Sequence, residues 1–192
     1  MSSTNRGYDR HKSDYYVTPI DKIVEFLNEV IKYEPNMFND GIVLDPCAGG
    51  DENHLMSYPE ALKQIGVHNV KTIDIRKDSL AEIKADYLTY KLNYKPKTII
   101  TNPPFNIAED IIKKALSDVV ENGFVVMLQR LNFLGGQKRK INFWNEIGLP
   151  KYIFVHHRRM SFTDDGKTDS IEYAHYVWKK GHIPDFSLIK II

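Results

Sequence analysis

Asn102-Pro103-Pro104-Phe105 directly follows the short apolar run Thr98-Ile99-Ile100-Thr101. Two successive prolines fix φ and remove two backbone donors, which makes a stiff loop with unpaired carbonyls. The Asn102 side-chain oxygen and the Pro103 carbonyl can then both accept from one exocyclic amino group. Phe105 offers a face for a flat ring lifted out of its stack. Holding an NH2 between two acceptors aims its lone pair at a methyl electrophile without a strong base. A simple Pro-Pro turn would require neither the Asn before the prolines nor the aromatic after them.

Three further elements precede this loop. Gly41-Ile42-Val43-Leu44 runs into Asp45-Pro46-Cys47-Ala48-Gly49-Gly50, Val70 to Ile75 carries Asp74 near its end, and Asp86-Tyr87 closes a weaker run from Ile83. The glycines allow backbone to approach a ligand closely. Asp74 is placed to accept from ribose hydroxyls, as the acidic residue of dinucleotide folds does. No Lys-Ser/Thr follows the glycines, so the loop is not a P-loop. Taken singly these are a turn and solvated aspartates. In this order they read as a ligand site.

The elements that must position them alternate. Behind Thr18, read as a cap, and Pro19, the residues Ile23, Val24, Phe26, Leu27, Val30 and Ile31 recur at helical spacing. Helices are predicted over 59–65 and 108–119. The seven predicted strands are 41–44, 70–75, 83–87, 98–101, 124–128, 152–155 and 173–178. Strands alternating with helices predict an α/β domain: a mainly parallel seven-stranded sheet covered on both faces. Ligands of such sheets lie outside the carboxyl ends of the strands. Every motif above falls at such an end.

Composition narrows the class. The chain has 192 residues and a net charge of +1, which excludes a polybasic binder but leaves room for local basic patches. With 42% hydrophobic residues it can build an ordinary core. Cys47 is the sole cysteine, so no intrachain disulfide or cysteine-based zinc cluster can form. No metal site is expected, because the adjacent His156 and His157 point in different directions. The longest apolar stretch, 124–128, is too short to cross a bilayer, and a cytoplasmic protein without membrane contact is expected. A flexible arm over 1–14 is expected to precede one catalytic domain over 15–192, with no separate target-recognition domain.

The ordered set resembles the class I, S-adenosylmethionine-dependent amino methyltransferases, specifically the adenine-N6 DNA type with its Asn-Pro-Pro-Tyr/Phe signature. The resemblance runs from Tyr15 to Trp178, with the cofactor loop ahead of the catalytic loop as in the gamma arrangement. It implies a Rossmann-like methyltransferase fold, S-adenosylmethionine as cofactor and DNA as partner. Tyr16, Thr18 and Pro19 then close over the methionine end of the cofactor. Asp45, Pro46, Ala48 and Gly49 contact its methionine and ribose parts. Asp74 binds the ribose with Ile75 beside the adenine ring, and Asp86 accepts from the adenine amino group with Tyr87 near the ring. Asn102, Pro103, Pro104 and Phe105 form the catalytic loop, with Asn102 also near the cofactor. The chain departs from the family at Gly49-Gly50-Asp51, which replaces Gly-x-Gly, and at Pro59 in the following helix.

Two later loops are candidate substrate contacts. The segment 134–140 joins flexible glycines to Lys138, Arg139 and Lys140; the segment 156–170 carries Arg158, Arg159 and Phe162. The first can bind phosphates, and the second can line the flipped-base pocket or clamp the backbone. Tyr176 and Trp178 read as core, and Cys47 as a small packed residue. With no recognition domain, target choice falls to these loops, the arm, a partner subunit or a second copy. Alternatives stay open: the same chemistry on RNA adenine, cytosine N4 or a protein glutamine amide, or a non-catalytic subunit on a cofactor fold.

Overall fold

The computed structural model describes residues 17–162, 168 and 170–192. Helix α1 (Ile20–Val30) precedes β1 (Val43–Asp45), α2 (Ser57–Gln64), β2 (Val70–Asp74), β3 (Ile83–Lys84) and β4 (Thr98–Thr101). Then come α3 (Ala108–Asp118), β5 (Phe124–Arg130) and a helical segment of mixed pitch. That segment passes from a 3-10 turn (Leu131–Leu134) through α4 (Gln137–Arg139) and a π turn (Lys140–Trp144) into α5 (Asn145–Ile147). Strands β6 (Tyr152–Val155), β7 (Tyr173–Lys179) and β8 (Leu188–Ile191) complete the chain.

The sheet order is β3-β2-β1-β4-β5-β7-β6-β8. Pairing is parallel from β3 through β5 and between β6 and β8, while β7 runs antiparallel to both neighbours. Chain order reverses between β1 and β4, and this switch point opens the crevice above their carboxyl ends. The central strands are continuous apolar runs because both faces are covered: β1, β4 and nearly all of β5 are buried. One face packs Ile23, Phe26 and Leu27 of α1 and Leu62 of α2 on Val43, Ile100 and Val126. The other packs Ile111, Ile112 and Ala115 of α3, with Phe133, Phe143 and Trp144, on Leu44, Ile99 and Val125.

Three expectations need correction. There are eight strands rather than seven, because β8 adds an exposed parallel edge beside β6. The third strand stops at Lys84, so Asp86 and Tyr87 lie in the loop beyond it. Thr18 does not cap α1: Pro19 occupies the N-cap and no side chain caps the helix. Pro59 falls in the first turn of α2, where its missing donor costs nothing. Tyr176 and Trp178 are core, as read. Among the described residues, no helix is long and apolar enough to cross a membrane.

Candidate active site

Four strand ends meet at one cleft. It is lined by Thr18, by Pro46, Cys47, Ala48 and Gly50 after β1, by Asp74, Ile75 and Arg76 at the end of β2, and by Asp86 and Tyr87. Asn102, Pro103, Pro104 and Phe105 close it from the end of β4, and Ser57 and Tyr58 of α2 form its floor with Ile107 and Ile111.

The glycine loop is shaped from its own sequence. Gly49 and Gly50 take φ of 63° and 73°, so the positive angles fall on two consecutive glycines. Asp51 has no such need, which explains how it can replace the usual glycine. Its Oδ1 instead accepts from the N–H groups of Asn53 (2.8 Å) and His54 (2.9 Å) and folds the next turn. Asp74 ties the loop down: Oδ2 accepts from the Gly49 N–H and Oδ1 from the Arg76 N–H, both at 2.7 Å. Arg76 adds a bond from Nη2 to the Gly50 carbonyl at 3.1 Å. Gly50→Ala should therefore be costly. A Cβ at 50 would lie 2.8 Å from Met56 Cγ in a left-handed backbone. We expect a loss of about 1–3 kcal/mol in thermal melts, with weaker S-adenosylhomocysteine binding by calorimetry.

Asp45 lies under this loop, 1% exposed. Its Oδ1 accepts from the Cys47 N–H at 3.2 Å, and its Oδ2 is buried. Burial pushes its carboxyl up to about 7, the Thr101 hydroxyl and Cys47 N–H pull the other way, and the charge of Asp74 adds to the rise. A fixed cation arriving nearby would ionise it.

The 102–105 loop is held by Thr18. Asn102 Nδ2 donates to Thr18 Oγ1 at 3.0 Å, which fixes the amide and leaves Oδ1 as its remaining polar atom. Oδ1 is buried against solvent and has no partner. The Pro104 carbonyl accepts from the Ile107 N–H at 3.1 Å, whereas no backbone hydrogen bond among the described residues uses the Pro103 carbonyl. An unsatisfied buried acceptor costs about 1–3 kcal/mol. Asn102 Oδ1 is such an acceptor, and it shares the cleft wall with Pro103 and Phe105. Ile75, 65% exposed on the cleft wall, offers an apolar surface for a second ring.

Tyr87 is buried, donates to Asp118 Oδ2 at 2.8 Å and lines the cleft. Asp86 Oδ1 accepts from the Leu88 N–H at 2.9 Å. Pro19 and Gly49 support the cleft without lining it, and Cys47 is half-buried among its walls. Tyr16 and the 1–14 arm lie outside the described residues, as do positions 163–167 and 169 of the second loop.

The substrate candidates divide. Arg139 is engaged internally: Nε pairs with Glu109 Oε1 at 2.8 Å, and Nη1 donates to the Phe133 and Gly135 carbonyls, both at 2.9 Å. Its guanidinium lies 4.4 Å from the Phe133 ring centroid. This side chain staples the mixed-pitch segment together. Lys138 and Arg158 are exposed, and Arg159 faces Glu172 at 3.6 Å. Phe162 packs on Tyr173, centroids 4.8 Å apart.

Contacts that the sequence reading passed over surround the site. Tyr58 Oη is 3.0 Å from His175 Nε2, and His175 Nδ1 is 2.9 Å from His156 Nε2. Burial keeps both imidazoles neutral, His156 pushed down to about 4. The chain ties the cleft floor to β7 and to the start of the 156–162 loop. Arg130, at the carboxyl end of β5, stacks its guanidinium 4.7 Å from the Phe105 centroid. Its signal was positional: β5 neighbours β4, so a cation ending β5 must face the same crevice.

No protein-family model matches the chain, and no curated protein does. Solved structures do. The chain is similar to a candidate RNA methyltransferase from Pyrococcus horikoshii, with 15% identity, a TM-score of 0.67 and 93% of each chain covered. It is also similar to a candidate class I S-adenosylmethionine-dependent methyltransferase from Listeria monocytogenes, with 15% identity and a TM-score of 0.64. That match covers 92% of this chain and 65% of the other. A third, the T. thermophilus 16S rRNA N2 G1207 methyltransferase in complex with AdoMet and guanosine, is 15% identical with a TM-score of 0.52. It covers 85% of this chain and 43% of that one. The fold is that of the class I S-adenosylmethionine-dependent methyltransferases.

Proposed function

We propose that the protein transfers a methyl group from S-adenosylmethionine to the N6 amino group of adenine in DNA. The observation that carries the reading is the buried, unpartnered Oδ1 of Asn102 in the same cleft as the glycine loop and Asp74. Bound S-adenosylmethionine supplies an electrophilic methyl carbon. Its holders would be Pro46, Ala48, Asp74, Ile75, Asp86 and Tyr87, with Asp45 beneath them. The buried carboxyl of Asp45 suits a ligand that carries positive charge.

Asn102 Oδ1 and the Pro103 carbonyl hold the two N–H protons of the amino group, which leaves its lone pair perpendicular to that plane. Phe105 stacks on the extruded base, and Pro104 keeps the loop stiff. The lone pair aimed in this way would accept the methyl group that the bound cofactor supplies, and one of the two held protons would then leave to solvent. Positioning supplies most of the acceleration. Target choice is assigned to the exposed cations Lys138 and Arg158, to the 156–170 loop, and to a partner subunit or second copy.

Incubation with labelled S-adenosylmethionine and separate DNA, RNA and protein pools, followed by nucleoside mass spectrometry, tests this reading. N6-methyladenine in DNA is the expected product, absent with the Asn102→Ala variant. Label in RNA or protein instead would overturn the substrate assignment.

A further inference from the structure

We propose that Arg130 is the residue that holds a substrate phosphate next to the target base, an inference that rests on the nucleic-acid reading above. Arg130 ends β5 opposite Tyr173 of β7, and its guanidinium lies over the ring of Phe105. The guanidinium is always charged. Among the described arginines, Arg76, Arg139 and Arg159 each face a carboxylate. Arg130 faces none among the described residues, and its Nε is buried without a partner. Unlike the exposed Arg158, it keeps that unpaired charge half-buried beside the catalytic loop.

This placement is costly in the free protein. A partly desolvated cation without a counter-ion loses hydration that the face of one phenyl ring replaces only in part. It also works against the reaction, because methyl transfer places positive charge on the amino nitrogen held by the same loop. Both costs are removed by an anion that arrives with the substrate. A nucleic-acid strand brings one at every nucleotide, and guanidinium binds phosphate through two parallel N–H bonds. A glutamine amide brings none. The surroundings fit a nucleotide as well. Phe105, Tyr173 and Phe162 form an aromatic cluster with Leu128 and Met160, with Phe105 and Tyr173 centroids 6.1 Å apart. Base and phosphate of one extruded nucleotide thus meet Phe105 and Arg130 together.

The test uses the full chain saturated with S-adenosylhomocysteine and labelled single-stranded adenine-containing DNA and RNA oligonucleotides of one sequence. Fluorescence anisotropy is read across a salt series for wild type, Arg130→Met and Arg130→Lys. Arg130→Met keeps the packing on Phe105 and removes the charge. It should weaken binding about tenfold and lower the slope of log Kd against log salt by about one, whereas Arg130→Lys keeps the slope. Whichever strand binds the wild type identifies the source of the phosphate. An unchanged slope in Arg130→Met shows a packing role only and overturns the proposal while the function stands. If the wild type binds S-adenosylhomocysteine but neither strand, the nucleic-acid reading falls and the proposal with it. Should Arg130→Met melt below the assay temperature, Arg130→Gln replaces it, judged by the same slope.

Discussion

Asn102→Ala should lower the methylation rate by about 10²–10³-fold while changing S-adenosylhomocysteine affinity by no more than a few-fold. The asymmetry follows from what each end of the amide does. Oδ1 is the buried, unpartnered acceptor, so in the proposed reaction its loss removes the contact that would orient the reacting nitrogen. Nδ2 bonds only Thr18, whose removal loosens the entry to α1 but leaves Asp74, the Gly49 anchor and Ile75 in place. Asn102→Asp separates orientation from charge. It keeps an acceptor at Oδ1, but its carboxylate presents an acceptor to Thr18, whose hydroxyl can rotate to donate. We expect Asn102→Asp to retain more activity than the alanine variant. Single-turnover rates and calorimetry on the three proteins decide it. Equal loss of rate and affinity in Asn102→Ala would show that the residue builds the cofactor site instead.

How much of this was legible follows burial. Strands β1, β4 and nearly all of β5 are buried on both faces, so each is a short apolar run punctuated by Gly, Asn or Pro, whereas β2 is buried only from Thr72 to Asp74. The motif residues are what those runs lead into. Strand β8 has no such mark: all four of its residues are exposed, and it is held by backbone pairing to β6, which leaves no pattern in the side chains. The 131–147 segment was read around a glycine-rich cationic loop. Its pitch changes from 3-10 to α to π, so Phe133, Phe143 and Trp144 are buried without a fixed 3.6-residue recurrence. Arg139 shows a second limit. A cation's type says it can bind phosphate, but only the fold shows that Glu109 and two carbonyls already hold it. Thr18 shows a third. A threonine ahead of a helix is a cap by local chemistry, yet its hydroxyl is taken by an asparagine 84 positions away.

Cofactor binding should weaken about tenfold for each pH unit below 7, reaching about 100-fold at pH 5, and Asp45→Asn should abolish this dependence. The sign comes from the position of Asp45. Burial holds its carboxyl up to about 7, so in the free protein it is neutral below that pH and ionised above it. A cofactor bearing an ammonium group favours the ionised form, so binding must expel a proton wherever the free carboxyl holds one. Affinity therefore rises as pH climbs to 7 and then levels. Confining the titration to pH 5–7 keeps the ligand's own amino group charged throughout, since such groups titrate near 7.7–8.0. Asp74, already accepting from two backbone N–H groups, lies close enough to sharpen the effect, and Cys47 and Tyr58 stay neutral because burial pushes both well up. Calorimetry in buffers of different ionisation enthalpy measures the protons released directly. Near one proton at pH 5.5 is expected for wild type and none for Asp45→Asn. A flat profile in wild type, or the same slope in both proteins, would place the ammonium away from Asp45 and leave that buried carboxyl to organise the Pro46–Cys47 turn alone.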